Sequence, residues 1–117
     1  MNVLAEITKL GISLAYSAAE AQLALSKTAL EDCNKFCKFD TGELRNSSYK
    51  ASNLITGKLV WDTKYARAAY FLGEADLSKN PLASRLWAHK AAALYAGKWQ
   101  AQTKLRFIMS MAKLKSV

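Results

Sequence analysis

The sequence predicts an α+β domain: a long N-terminal helix, a small antiparallel β-sheet, and a long C-terminal helix packed on that sheet. Three observations carry the prediction. Residues 17–38 are rich in helix formers and contain neither glycine nor proline. Two short segments enriched in aromatic and β-branched residues flank a turn signal at Thr56-Gly57. Residues 81–113 repeat apolar side chains at helical spacing behind an Asn80-Pro81 start signal.

A chain of 117 residues fits one domain. That domain is expected over 17–117, as a single α+β unit, with 1–16 as an N-terminal extension or short helix. Met1–Leu14 is apolar-periodic, but Gly11 interrupts it. From Ser17 onward, Ala19, Leu23, Leu30, Cys33 and Cys37 follow the 4/3 spacing of one helical face, with Ser26 as the only polar member of that row.

The centre opens on Asp40-Thr41-Gly42, a turn whose Asp or Thr oxygen can cap a short helical turn through Glu43–Asn46. Tyr49–Asn53 and Lys58–Asp62 then read as a β-hairpin around Gly57, with Leu59 and Trp61 on one face. Tyr65–Gly73 is apolar enough for burial, as a helical turn or a third strand, and 74–79 reads as an exposed loop. In the last block Asn80 is the expected N-cap and Pro81 the first helical residue. The expected buried stripe is Trp87, Ala91, Leu94, Ala101, Leu105 and Ile108, with Tyr95 and Trp99 beside it, Lys98 interrupting it, and Gly97 a weak point.

The net charge is +8 and unevenly spread. Residues 1–40 carry four bases and five acids, whereas residues 81–117 carry seven bases and no acid. Such a one-signed segment, with Lys98, Lys104, Arg106, Lys113 and Lys115 at its heart, attracts DNA or an acidic protein surface. The alternative is a solvated helix face with a basic tail. No apolar run approaches the ~20 residues that cross a bilayer, so no membrane partner is expected. The N-terminal stretch has no basic start followed by an apolar block, so no signal peptide is expected.

Cys33 and Cys37 lie four apart on one helical face, where a disulfide fits badly and crosslinks little. They read as reduced core residues. With His89 the only histidine, a zinc site lacks two ligands. The sequence contains no phosphate-cradling glycine motif and no nucleophile elbow, so no catalytic residue, metal or cofactor is expected. A basic helix with Trp87, Tyr95 and Trp99 interleaved can in principle stack bases and bind phosphates. Their spacing, however, is that of a buried stripe, which favours packing.

Three stretches in order carry a family resemblance: Phe39-Asp40-Thr41-Gly42-Glu43-Leu44-Arg45-Asn46-Ser47, then Val60-Trp61-Asp62-Thr63, then Tyr65-Ala66-Arg67 with Gly73 beyond. Together with Asn80-Pro81, Trp87 and Lys98-Trp99, they resemble the minor capsid proteins of phages infecting Gram-positive bacteria. That group is similar to the tail-completion, or neck, proteins of long-tailed phages. The resemblance spans about residues 17–105. Lys38-Phe39 stands where the family pattern has a proline-bearing approach to Asp40. The resemblance implies a structural virion subunit, assembled in the host cytoplasm and placed at the head–tail junction. It would form a ring of itself, six copies favoured and twelve the alternative, between the capsid connector and tail proteins with DNA passing through. In that role Gly42 permits the reversal, Leu44 anchors in the core, and Arg45 can pair with a carboxylate of the same or a neighbouring subunit. The other class open to a chain of this composition is a small basic nucleic-acid-binding protein.

Overall fold

In the computed structural model, residues 3–72 and 77–115 are described, with side chains described for 10–72 and 77–113. Four helices carry the fold: α1 (Val3–Asn34), α2 (Glu43–Ala51), α3 (Ala66–Phe71) and α4 (Trp87–Lys115). The expected α+β class is overturned. About 67% of the chain is helical and 2% is strand, and the described residues form no sheet.

The reason lies in where each segment finds its hydrogen-bond partners. Tyr49–Ala51, expected as the first strand, is the last turn of α2. There Ser47 and Ser48 fold their hydroxyls back onto the carbonyls of Leu44 and Arg45, each at 2.6 Å. The chain does reverse at Gly57 (φ 77°), but the hairpin stops at one antiparallel bridge, Asn53 to Lys58. The next rung is taken by a side chain, because the Val60 N–H donates to Ser52 Oγ at 2.8 Å. With the ladder displaced, Leu59 and Trp61 pack as single residues against the helices instead of as a sheet face. Gly57 is required by its left-handed φ, whereas a Cβ there would meet only the flexible end of Gln22 on α1, 2.2 Å from Nε2.

Helices α1 and α4 lie antiparallel. Ser17 hydrogen-bonds Ser110 (3.0 Å), and fifteen residues further along α1 the Trp99 indole donates to Asp32 (2.7 Å). Gly11 does not break α1, which runs through it from Val3. Gly97 likewise leaves α4 continuous. The α4 start differs from expectation: Asn80-Pro81 forms a turn closed by Ala83 N–H to Asn80 O (3.0 Å), and the helix begins six residues later at Trp87. Leu86, at φ 53°, precedes it, and its carbonyl accepts the Lys90 N–H at 2.8 Å.

The core sits at one end. The C-terminal part of α1 (Cys33, Phe36, Cys37) meets Leu44 of α2, Ala66 and Ala69 of α3, and Trp87 and Ala91 of α4. Away from this head, α1 and α4 continue as a two-helix arm. The molecule is therefore long, 64 × 25 × 20 Å, with a radius of gyration of 18.4 Å. A compact chain of this length has about 13 Å.

Candidate functional site

Two groups of residues compete for a functional role: the motif residues in the head and the exposed side chains of the arm. The motif residues knit the head together. Gly42 takes φ 86° directly before α2, and a Cβ there would press on the Phe39 ring at 3.2 Å. The N-cap of α2 is Gly42, with no side-chain cap bond, and Thr41 Oγ1 just before it accepts the Glu43 N–H at 3.4 Å. Asp40 instead pairs with Lys79 at 2.7 Å, and α2 runs beyond the expected short turn. Leu44 and Ala66 are buried in the core. Ser47 Oγ accepts the Asp62 N–H (3.0 Å), fixing α2 to the stretch after Trp61.

Arg45 stacks on an aromatic ring of its own chain. Its guanidinium lies over the Phe39 ring at 5.0 Å, and its buried Nε has no hydrogen-bond partner among the described residues. Tyr65 is exposed, with its hydroxyl donating to Glu43 at 3.4 Å. The 38–44 turn and α3 face each other across an open cleft of about 610 Å³, in which Glu43 and Tyr65 engage one another. Gly73 lies outside the described residues.

Asn80 is the clamp of the C-terminal connection. Its Nδ2 donates to the carbonyls of Lys35 (3.1 Å) and Cys37 (2.9 Å), serving carbonyls at the end of α1 that no longer have helical partners. Its Oδ1 accepts the Leu82 N–H at 3.1 Å, and Pro81 sits exposed in the turn it closes. The aromatic residues are committed to packing. Trp87 is fully buried against Tyr70 and Trp61, while the Trp61 indole donates to Asn34 and that of Trp99 to Asp32. The packing alternative for these rings is the one realised.

Burial pushes the Cys33 thiol up to about 11 and the Cys37 thiol to about 12. Both are free and buried. At pH 8 they should react with a disulfide reagent at least ~100-fold more slowly in buffer than in denaturant. Equal rates in the two conditions would contradict the packing described above. Among the described residues no group of His, Cys, Asp and Glu is placed to hold a metal ion.

The second group is on the arm. The inner row of α4 runs Ala91, Tyr95, Trp99, Thr103, Phe107, Ser110, all turned toward α1 to some degree. The row expected from the sequence diverges at Ala91. Leu94, Leu105 and Ile108 face solvent, 60%, 57% and 52% exposed. Helical spacing permits either branch from Ala91, because i+3 and i+4 lie on opposite sides of the ideal 3.6. The inner branch wins since Phe36 stacks on Tyr95 and Asp32 accepts from Trp99. On α1, the row Ser26-Leu30-Cys33-Cys37 is buried beneath the head as expected, but its N-terminal continuation through Ile12, Tyr16 and Ala19 is exposed.

A family model described as minor capsid protein matches residues 2–106. The chain belongs to this family. No curated protein and no solved structure matches it. As a minor capsid protein it is a structural component of a phage virion.

In this minor capsid protein the basic residues line both flanks of the arm. Lys104 borders the groove floored by Ala18 and Ala21, and Arg106 borders the opposite one with Ala24 and Thr28. Lys98 lies over the Tyr95 ring at 5.6 Å. Lys113 is exposed near the end of α4, and the side chain of Lys115 lies outside the described residues.

The Asp32 carboxyl at the arm's base is held below the ordinary carboxylate range. Burial alone would raise it, but hydrogen bonds from Lys35 and Trp99, with the charge of Lys35, outweigh that. A depressed folded pKa means stability that is present above the unfolded value, about 4, and lost as pH falls through the folded one. The urea midpoint should therefore drop below about pH 4 in the wild type, and Asp32→Asn should flatten that dependence. An unchanged slope in the variant would remove Asp32 from the account.

Proposed function

We propose that this minor capsid protein is a non-enzymatic subunit of the head–tail junction, one copy in a ring between the portal-side connector and the tail. Six copies are favoured, twelve the alternative, with DNA passing through the centre. The observation that carries the reading is excess surface. A compact 12.9 kDa monomer exposes about 6,300 Å², and this chain exposes 8156 Å². Exposed large apolar side chains occur on the arm (Ile12, Tyr16, Leu94, Leu105 and Ile108 among them) and on the head (Ile55, Phe71 and Leu72 among them), and surface of that kind marks association. Ring closure by a repeated head-to-tail contact uses two different patches per copy.

The basic charge on α4 supports a second contact, with DNA in the channel or an acidic neighbouring protein. Its aromatic rings are engaged inside the fold, so nucleic acid would be met through phosphates and not by stacking on bases. The competing reading is a free-standing basic nucleic-acid-binding protein.

Deleting the gene and imaging the particles tests the proposal. Filled heads beside unattached tails are expected, with a tagged copy restoring a ring of density at the neck. Normal particles, or a tag located elsewhere, would overturn it. Neutral substitution of Lys98, Lys104 and Arg106 separates the competing reading. Loss of DNA affinity with the ring intact assigns these residues to DNA, and loss of assembly assigns them to the ring.

A further inference from the structure

Helix α4 starts without a cap of its own. The Leu86 carbonyl accepts the Lys90 N–H at 2.8 Å, which makes Leu86 the residue before the first turn. A leucine there, at φ 53°, has no side-chain oxygen to offer the amides of that turn. Tyr70, on α3, supplies one. Its hydroxyl oxygen accepts the His89 N–H at 3.2 Å, and its carbonyl accepts the Leu86 N–H at 2.9 Å. Its ring stands edge-on to Trp87, with centroids 4.6 Å apart. One residue of α3 thus holds Leu86, Trp87 and His89, where α4 leaves the head.

The same hydroxyl is bonded to Nδ1 of His89. The direction of that bond follows from where the hydrogens are. The phenol oxygen already takes the backbone hydrogen, and among the described residues Nδ1 is the acceptor bonded to the phenol group. The hydroxyl therefore donates to Nδ1, and the ring is neutral with its hydrogen on Nε2. A capping box is reciprocal in the same way, except that there both partners are close neighbours in the chain.

Protonation undoes this contact. An imidazolium carries hydrogens on both ring nitrogens, so Nδ1 no longer accepts and the phenol hydrogen loses its partner. A cation in the first turn of a helix also meets the positive end of its dipole. Arg85 and Lys90 flank the site in the chain, with the Lys90 ammonium turned over Phe36 at 4.9 Å. On α3, Arg67 lies one turn before Tyr70. From α1 the buried Cys33 thiol, pushed up to about 11 and so uncharged, acts on Tyr70. These charged neighbours are all bases, and among the described residues no carboxylate pairs with His89 to hold its charged form.

We infer that Tyr70 and His89 form a pH-operated latch, which ties the first turn of α4 to α3 while the imidazole is neutral and releases it when the ring takes a proton. The His89 ring is exposed and can swing into solvent without opening the core. The change is local to the point where the arm leaves the head.

Hydrogen exchange of the purified full chain by NMR tests it, at pH 8 and pH 5, on either side of the ordinary imidazole value of about 6.5. The backbone amide of residue 89 is read as a protection factor, which removes the intrinsic pH dependence of exchange. The Trp99 amide, inside α4, is the internal reference. Protection at His89 should fall about 2- to 10-fold from pH 8 to pH 5, the span of one net hydrogen bond, with Trp99 unchanged. Tyr70→Phe keeps the ring against Trp87 and removes the hydroxyl, so its His89 amide should show the low value at both pH values. His89→Asn puts an amide oxygen in the place of Nδ1 and does not titrate, so the amide of residue 89 should keep the high value at both. Equal protection at the two pH values in the wild type overturns the inference. So does a fall that persists in His89→Asn, or one that Trp99 shares. Should Tyr70→Phe fail to fold, the comparison of wild type with His89→Asn decides alone.

Discussion

Trp87→Ala is expected to lower stability by about 3–5 kcal/mol, the range for truncating a large core aromatic. Domains of this size hold about 5–15 kcal/mol in total, so the variant should be partly unfolded at 37 °C. Trp87 is 1% exposed and is the largest fully buried side chain of the protein. Its ring meets Tyr70 edge-on (4.6 Å, 87°) and Trp61 at 5.8 Å and 70°. One side chain thus joins the start of α4 to α3 and to the stretch that follows the Gly57 reversal. The Nε1 of Trp87 is buried with no hydrogen-bond partner among the described residues, which sharpens the prediction. Trp87→Phe removes that orphaned donor together with part of the ring, so it should cost only about 1–2 kcal/mol. Urea titrations of the two variants measure both values. Equal losses would mean that the indole nitrogen is satisfied in solution, or that ring volume is not what holds the head.

Much of the helical content was legible because it depends on local spacing. The buried row from Ser26 to Cys37, the turn at Gly42, the reversal at Gly57 and a long C-terminal helix all follow from residues close in sequence. The sheet was misread for an equally local reason. Ser47, Ser48 and Ser52 score as loop or strand residues, yet each hydroxyl finds a backbone partner, the first two inside α2 and the third in place of a ladder bond. Propensity does not register such bonds. Asn80-Pro81 misled in a related way, since the turn it forms uses the same Asx geometry as a helix cap. Its clamp on α1 is a contact across more than forty residues, outside the reach of any local pattern.

The outward stripe of α4 was legible as a stripe and misassigned as core. A reading from spacing alone places every periodic apolar row inside, whereas on α4 only the row from Ala91 to Ser110 turns toward α1. A search for two rows, at Ala91-Tyr95-Trp99-Thr103 and at Leu94-Ala101-Leu105-Ile108, would have signalled this. Asp40 through Ser47, Trp61 and Ala66 converge on the head, where they position the arm's base.

Asn34→Ala should be the most damaging polar substitution, costing about 2–4 kcal/mol. In the absence of a sheet, Asn34 does the joining that backbone ladders would do. From the last residue of α1 its Nδ2 donates to Ser48 Oγ on α2, and its Oδ1 accepts from the Trp61 indole, both at 2.9 Å. Asn34 and Ser48 are buried, so truncation strands the Trp61 donor and takes away the donor that Ser48 accepts from, each with a cost of about 1–3 kcal/mol. A double-mutant cycle isolates the indole bond. In a Trp61→Phe background the donor is already gone, so Asn34→Ala should cost about 1 kcal/mol less than it does in the wild type. Strict additivity of the two substitutions would show that the bond contributes nothing. The arrangement of the head around α1 would then rest on apolar packing and on the remaining bonds of Asn34, Ser47 and Asn80.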